Sequence, residues 1–386
     1  MKVLKLVIKN SLRHKLRSFL TIVGIAIAVV AFGFLRTVVT AWYAGVEASA
    51  PNRLIARNSV SFIFPLPYAY KDRIARIPGV ETVSFANWFG GVYIDQSNFF
   101  ARMAVDPKTI LEAYPEFVVP PDQLEAFLNE RNACIVGADL ASQYGFKLGD
   151  VVTLDGDIYP GKWDFVVRAI YQPRDEKVDG TQFYFHWEYL DQRVKEEMPG
   201  REGQVGWYII KISNPGDAAG IAEQVDGLFK NSRAETKTET EAAFQQSFIQ
   251  GTSLIINLFN FISFVIIGII MLVLGNTMIM SARERTKEYA VLKTLGFSGK
   301  HIATLIAGES ILISFLAGGI GLLLTYPIVG MFSLFVPKTW FPVFYVEPST
   351  LVLAGVSALM VGVAASVFPL QRALRTSIVD GLRFVG

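Results

Sequence analysis

The chain of 386 residues predicts a membrane protein with four transmembrane α-helices and a large α+β extracytoplasmic domain between the first and the second. Three observations carry this. An apolar span lies close to the N-terminus, a long polar stretch follows it, and three further apolar spans crowd into the last third. Crossing a bilayer takes about 20 mostly apolar residues, since a helix rises about 1.5 Å per residue through a hydrocarbon layer roughly 30 Å thick.

Four stretches meet that length. Ser18 to Leu35 is uncharged between Arg17 and Arg36; the second span lies within the charge-free region Ala242 to Ala282; the third runs from Ser310 to Pro337 and the fourth from Pro348 to Gln371. Lipid offers no hydrogen-bond partner to the backbone, so each is expected to be a helix. The expected organisation is an amphipathic segment over 1–17, a first span over 18–40 and an outer domain over 41–244. A second span with its stalk follows over 245–282, a coupling segment over 283–304, the third and fourth spans over 305–335 and 348–371, and a tail over 372–386.

Orientation follows from lysine and arginine beside the spans. Lys2, Lys5, Lys9, Arg13, Lys15 and Arg17 precede the first span with no acidic residue among them; Arg283, Arg285, Lys287, Lys293 and Lys300 lie between the second and third, and Arg372, Arg375 and Arg383 follow the fourth. The loop between the third and fourth holds only Lys338 and Glu347. The chain is therefore expected to be multi-pass in a cytoplasmic membrane, with both termini inside and the large domain periplasmic or extracellular. A cleaved signal peptide is rejected: the first apolar run is too long, and the Ala48-Ser49-Ala50 triplet lies too far beyond it.

The net charge of +2 averages a basic inner face with a mixed outer domain, and it points to no nucleic-acid partner. Cys134 is the single cysteine, so no internal disulfide is available and the outer domain has to rely on a hydrophobic core. Roughly 200 residues are enough to build one. Apolar runs and turns predict strands at Glu81 to Phe85 after Ile77-Pro78-Gly79-Val80, at Ala133 to Val136, Val151 to Leu154, Phe165 to Tyr171 and Trp207 to Ile212. Helices are expected at Ala138 to Gly145 and at Asp217 to Lys230, the latter after the turn Asn214-Pro215-Gly216. One α+β domain and two small subdomains are both compatible with this pattern, and Pro115 to Glu130 reads as an insertion. Phe183, Tyr184, Phe185, His186, Trp187 and Tyr189 form either an aromatic platform for an amphiphilic ligand or a strand with one face in the core.

Candidate chemistry is sparse. Gly156 to Lys162 has the glycine and lysine spacing of a phosphate loop, but Trp163 stands where a Ser or Thr should hold Mg²⁺ and Pro160 removes an N–H. His14, His186 and His301 are far apart and Cys134 has no CxxC partner, so no metal site is predicted. No nucleophile elbow occurs, and catalysis by this chain alone is not expected.

The inner-face elements carry more. Lys5, Lys9, Arg13 and Arg17 recur every fourth residue beside Leu4, Ile8, Leu12 and Leu16, the pattern of an amphipathic helix on the membrane surface. It serves either as a lever tied to the first span or as a topology anchor. Ser281 to Glu288 continues the second span, and Tyr289 to Leu295 makes a short helix ended by Gly296. Ala290, Val291, Leu292 and Leu295 are read as a face that docks on a partner, with folding back on the chain as the alternative. Glu309, at the opening of the third span, is a candidate functional carboxylate or simply a headgroup-level residue. Gly24 and Ala28 in the first span, and Ala354, Ala358 and Gly362 in the fourth, have the four-residue spacing that permits close helix contact within the chain or between two copies.

The chain resembles the permease family that includes the macrolide exporter MacB, the lipoprotein-releasing permeases LolC and LolE and the division protein FtsX. The resemblance covers nearly the whole chain and rests on the order of its motifs: Asn10 to Thr21, Ile77-Pro78-Gly79-Val80, Val136-Gly137 through Ala141 to Gly149-Asp150, Arg283 to Glu288 leading to Leu292 to Gly296, and Pro369 with Ala373-Leu374-Arg375. It implies two permease chains, identical or different, on two cytoplasmic ATPase subunits that hold ATP and Mg²⁺, with no cofactor on this chain. Glu288, Tyr289, Ala290, Val291, Leu292, Lys293, Leu295 and Gly296 would form the coupling helix, and Glu309 falls where the family usually carries a glutamate. MacB bears its ATPase ahead of the first span; this chain begins at the membrane, so the expected ATPase is a separate subunit. Asp380-Gly381-Leu382-Arg383 replaces the family's common proline-rich ending.

The expected function is that of a permease subunit which transmits cytoplasmic ATP hydrolysis to the outer domain and exports, or extracts from membrane lipid, an amphiphilic substrate, with a periplasmic adaptor or membrane-fusion protein as a further partner. The alternative is an FtsX-like signal transmitter controlling an extracytoplasmic partner; its outer domain is usually smaller. A receptor without an ATPase conflicts with the exposed apolar helix after the second span.

Overall fold

Residues 7, 11, 13–335, 341 and 343–375 are described by a computed structural model, in which the chain divides into two units. One comprises the helical segments up to residue 41, from 252 to 335 and from 344 onward; the other comprises residues 42–251 with 336–343. The lysines and leucines proposed for residues 2–9, Leu12, Lys338 and the ending Asp380 to Arg383 lie outside the described residues.

Among the described residues four helices are long and apolar enough to cross a membrane: Lys15–Ala48, Ser253–Glu284, Gly299–Phe335 and Pro348–Leu374. The first, third and fourth extend beyond the expected spans, whereas the second starts later than expected, at Ser253. The expected boundary at residue 244 also shifts, because Glu241–Gln250 is a separate helix that clusters with the outer domain, and the bundle resumes at Thr252. Small residues make the close approaches. A Cβ on Gly321 would lie 2.7 Å from Val29 Cβ, and one on Gly33 would lie 2.9 Å from Thr325 Cγ2, so the first and third helices touch nearly backbone to backbone. Between the third and fourth, Ser310 Oγ donates to the Gly362 carbonyl oxygen at 2.6 Å and Ser314 Oγ to that of Ala358. These hydroxyls find main-chain acceptors where lipid offers none.

The outer unit is built on one mixed sheet. Its strands are β1 (Arg53–Asn58), β2 (Leu66–Pro67), β3 (Val80–Trp88), β4 (Arg102–Val105), β5 (Phe117–Val118) and β6 (Ala133–Gly137). They continue with β7 (Val151–Gly156), β8 (Gly161–Pro173), β9 (Phe183–His186), β10 (Gln204–Val205), β11 (Trp207–Ile212) and β12 (Thr236–Thr240). Ten of them join in the order β12-β1-β11-β3-β4-β9-β6-β8-β5, with β7 on β8; β2 and β10 pair apart. The pairs β4·β9 and β6·β8 are parallel, and the others in the sheet are antiparallel. Strands from both halves of the domain therefore share a single sheet.

Period-2 alternation divides its side chains between two cores. Leu54, Phe85, Val136, Phe183, Phe185, Tyr208 and Ile210 face one; Ile55, Ala86, Ile135, Tyr184, Trp207 and Ile209 face the other. This corrects the aromatic-platform reading. Strand β9 lies mid-sheet and is buried on both faces, with His186 Nε2 donating to the Phe127 carbonyl oxygen at 2.8 Å. The Pro115 to Glu130 stretch is packed into the domain: β5 adds to the sheet edge, and the helix Pro121–Asn129 seats Phe127 in the second core. The phosphate-loop lookalike is the β7–β8 hairpin, closed by Trp163 Nε1 donating to the Tyr159 carbonyl oxygen at 3.0 Å. Cys134 is buried in β6, where desolvation pushes its thiol pKa up.

One buried ion pair joins the points where the outer unit connects to the spanning helices. Glu241, first residue of its helix, accepts on Oε2 from Arg53 Nε at 2.8 Å and from the Ala50 N–H at 3.0 Å, and on Oε1 from the Tyr114 hydroxyl at 3.2 Å. Arg53 also donates to the Ala113 carbonyl oxygen and to Glu116 Oε1, both at 2.7 Å, and lies over the Tyr114 ring. Burial alone would lower the pKa of the Arg53 guanidinium, but Tyr114, Glu116 and Glu241 outweigh it and hold it above the ordinary arginine value. Ala50 lies two residues beyond the first spanning helix, and the helix opened by Glu241 ends at Gln250, just ahead of the second. Both connections thus meet at one carboxylate.

Replacing Arg53 or Glu241 singly with Ala strands a buried charge. Each change is expected to cost about 3–5 kcal/mol, read as a lower unfolding midpoint of the purified chain in detergent. At Gly137 a Cβ would overlap the Gly180 carbonyl group. Gly137→Ala is expected to destabilise by about 3 kcal/mol in the same measurement, whereas Gly145→Asn, at a left-handed helix end with open space around it, should cost little.

Candidate functional site

The residues proposed for coupling gather at the end of the bundle where the second and third helices are joined. The second spanning helix ends at Glu284 and a short helix, Thr286–Thr294, follows at once; Gly296, at φ +86°, turns the chain toward the third helix. Only glycine takes that left-handed conformation without strain, which is why the short helix stops there.

The expected docking face divides in two. Tyr289 and Ala290 are buried in the bundle core and Leu292 packs against it, so these three fold back on the chain. Burial pushes the Tyr289 phenol up to about 12. Lys293 also turns inward: its Nζ donates to the carbonyl oxygens of Ala373 and Leu374 at 3.1 and 3.2 Å, satisfying main-chain acceptors at the end of the fourth helix. Val291, Leu295 and Phe297 remain outside, with Leu295 69 % exposed. The period of 3.6 explains the split, since Val291 and Leu295 are four residues apart on one stripe and Ala290 lies on another. The four apolar residues expected on one face thus divide between two, and Phe297 joins the exposed one.

Charge holds the junction. Arg17 grips Glu284 with two hydrogen bonds of 2.6 and 2.8 Å, Arg13 pairs with Glu288, and His14 Nε2 lies 3.7 Å from Glu284. Deeper in, Arg285 Nη1 donates to Glu309 Oε2 at 2.9 Å, and both side chains are almost fully buried. Glu309 is therefore buried and paired within the junction. Among the described residues no group of three or more His, Cys, Asp or Glu could hold a metal ion.

The small residues of the helices separate likewise. Ala354 and Ala358 are buried in the bundle core, and a Cβ on Gly362 would lie 2.7 Å from Ser314 Cβ. Ala28 packs at the edge of that core, but a Cβ on Gly24 would meet nothing within 4 Å, so Gly24 makes no close helix contact among the described residues. The tight positions on the first and third helices are Gly33, Gly318 and Gly321. The cluster Gly318-Gly319…Gly321 was the available signal.

Two family models match the chain: the MacB-like periplasmic core domain over residues 18–228, and the FtsX-like permease C-terminal domain over 260–378. An uncharacterized ABC transporter permease of Methanocaldococcus jannaschii is 23 % identical over 97 % of this chain and 96 % of its own length. The macrolide export ATP-binding/permease protein MacB of Burkholderia lata is 31 % identical over 34 % of this chain but only 18 % of that protein. The periplasmic region of MacB from Actinobacillus actinomycetemcomitans aligns with a TM-score of 0.37 at 10 % identity, covering 53 % of this chain and 95 % of that one. The chain belongs to the family of ABC transporter permeases that pair a MacB-like periplasmic core domain with an FtsX-like permease domain.

Proposed function

We propose that this permease works by mechanotransmission. A separate ATPase subunit seats against the exposed stripe of the short helix, and movement of the spanning helices reshapes the outer domain to export or extract an amphiphilic substrate. The observation that carries this reading is the meeting of both outer connections at Glu241, which delivers displacement of the first two helices to the sheet through a single joint. The junction at the other end supports it as well. Arg13 and Arg17 tie the start of the first helix to Glu288 and Glu284, so a push on the short helix reaches the first and second helices together. An amphiphilic substrate accords with macrolide export by the MacB relative of Burkholderia lata. In this reading the short helix faces the cytoplasm, both termini lie inside, and a second permease chain completes the complex.

Val291→Asp and Leu295→Asp place charge on the exposed stripe and leave the bundle core untouched. Each is expected to abolish recovery of the ATPase in a mild-detergent pull-down while the permease still inserts; undiminished recovery with both would refute seating at this stripe. Leu292→Asp should instead lower the stability of the permease itself. Ser142→Cys is expected to react with a membrane-impermeant maleimide in intact cells and Ser298→Cys only after permeabilisation. The reverse pattern would overturn the orientation.

A further inference from the structure

The first spanning helix carries one charge in its interior. Between Arg17 and Glu47 every residue is uncharged except Arg36. Along this continuous helix Arg36 lies about 28 Å from Arg17, close to the roughly 30 Å of a hydrocarbon layer. Arg17 is partly open to solvent beside Glu284, so Arg36 falls where the acyl chains of the opposite leaflet give way to phosphates. The second helix repeats the measure. Asn260, whose Oδ1 accepts from Arg36 Nη1 at 3.2 Å, lies about 34 Å along Ser253–Glu284 from Arg283.

The guanidinium is incompletely partnered. Asn260 is a neutral acceptor, no ion pair engages Arg36 among the described residues, and its Nε is buried without a partner. A cation so placed has a cost, because water is shut out on one side and no carboxylate balances the charge. The one acidic residue of the first helix, Glu47, stands about 16 Å further along it, out of reach. The Arg36 side chain is only half-buried, so its fork keeps an open side. Asn257, three residues before Asn260 on the same face of its helix, is exposed and adds a neutral donor. All of these groups belong to the helical unit.

We propose that Arg36, oriented by Asn260, holds the phosphate of an anionic phospholipid at this end of the bundle. A guanidinium presents paired N–H donors that match phosphate oxygens. A phospholipid brings its phosphate to this depth and lays its acyl chains along exposed apolar side chains such as Leu258 and Phe261, which flank Asn260. A second copy of the chain would instead have to offer Glu347, the acidic residue directly preceding the fourth helix. Lipid needs no such copy and surrounds the helices wherever they span. The proposal goes beyond the transport reading, because it requires neither the ATPase nor movement of the outer domain.

The test follows thermal unfolding of the full chain in a neutral detergent as phosphatidylglycerol is added, with native mass spectrometry counting bound lipid. Phosphatidylglycerol is expected to raise the wild-type midpoint more than phosphatidylcholine, whose choline offsets the phosphate. In Arg36→Gln the half-effective phosphatidylglycerol concentration should rise about tenfold, the loss of one hydrogen-bonded charge, and one tightly held lipid should leave the spectrum. Arg36→Lys should retain part of the response, and Arg76→Gln, which removes an exposed charge of the outer unit, all of it. Without lipid, Arg36→Gln should unfold at or above the wild-type midpoint, since it strands no counter-charge; a lower midpoint would show the charge already balanced within the protein and overturn the proposal. An unchanged lipid response in Arg36→Gln would overturn it too. An equal response to inorganic phosphate would reassign the site to a free anion. Loss of the response in Glu347→Gln, together with dissociation of paired chains, would assign Arg36 to a carboxylate of a second copy.

Discussion

The pair Arg53–Glu241 is the constraint on which the outer domain's usefulness depends. Two charges taken out of water cost several kcal/mol each before they meet, and the pair is tolerable only because hydrogen bonds satisfy the remaining donors and acceptors. Here Ala50, Ala113, Tyr114 and Glu116 supply them. An apolar replacement of similar volume could be as stable, so stability alone does not account for the choice. What the ionic version adds is direction. The guanidinium fork and the carboxylate hold the chain leaving the first span, the start of β1 and the start of the helix preceding the second span in one geometry.

At the opposite end of the helices the balance differs. Arg13, His14, Arg17, Glu284 and Glu288 are at least partly open to solvent, and water screens their pairing. Arg285–Glu309 is buried and far harder to break. The junction therefore combines one firm anchor with several weak, rearrangeable contacts. Its outer pairs can re-form while the buried one keeps the short helix attached.

Much of the architecture was legible because it is periodic. Trp207–Ile212 is a strand end to end as the apolar run implied, and the four spans announce themselves by length. Legibility failed where pairing outweighed composition. Thr236–Thr240 is wholly polar, yet it is a strand, because β1 supplies the ladder and Asp226 takes hydrogen bonds from both Thr236 and Thr238. The helix at Pro121 looked like an insertion because Phe127 is its one buried side chain. Most of the joint was invisible for a simpler reason: Arg53 and Glu241 stand 188 residues apart, and nothing local marks either as the other's partner. At the short helix, the sequence showed the element and its glycine stop but not which stripe faced inward, since that is decided by the neighbouring helices.

The second spanning helix has one property that sets it apart from the first. Only 17 % of its most apolar stretch is buried, against 39 % for the first, and apolar side chains surround it on all sides. Rotating such a rod about its long axis exchanges one lipid-compatible face for another at little cost, whereas sliding it would drag Glu284 and the charged short helix into hydrocarbon. The helix therefore presents apolar side chains to lipid whichever way it is turned about its axis.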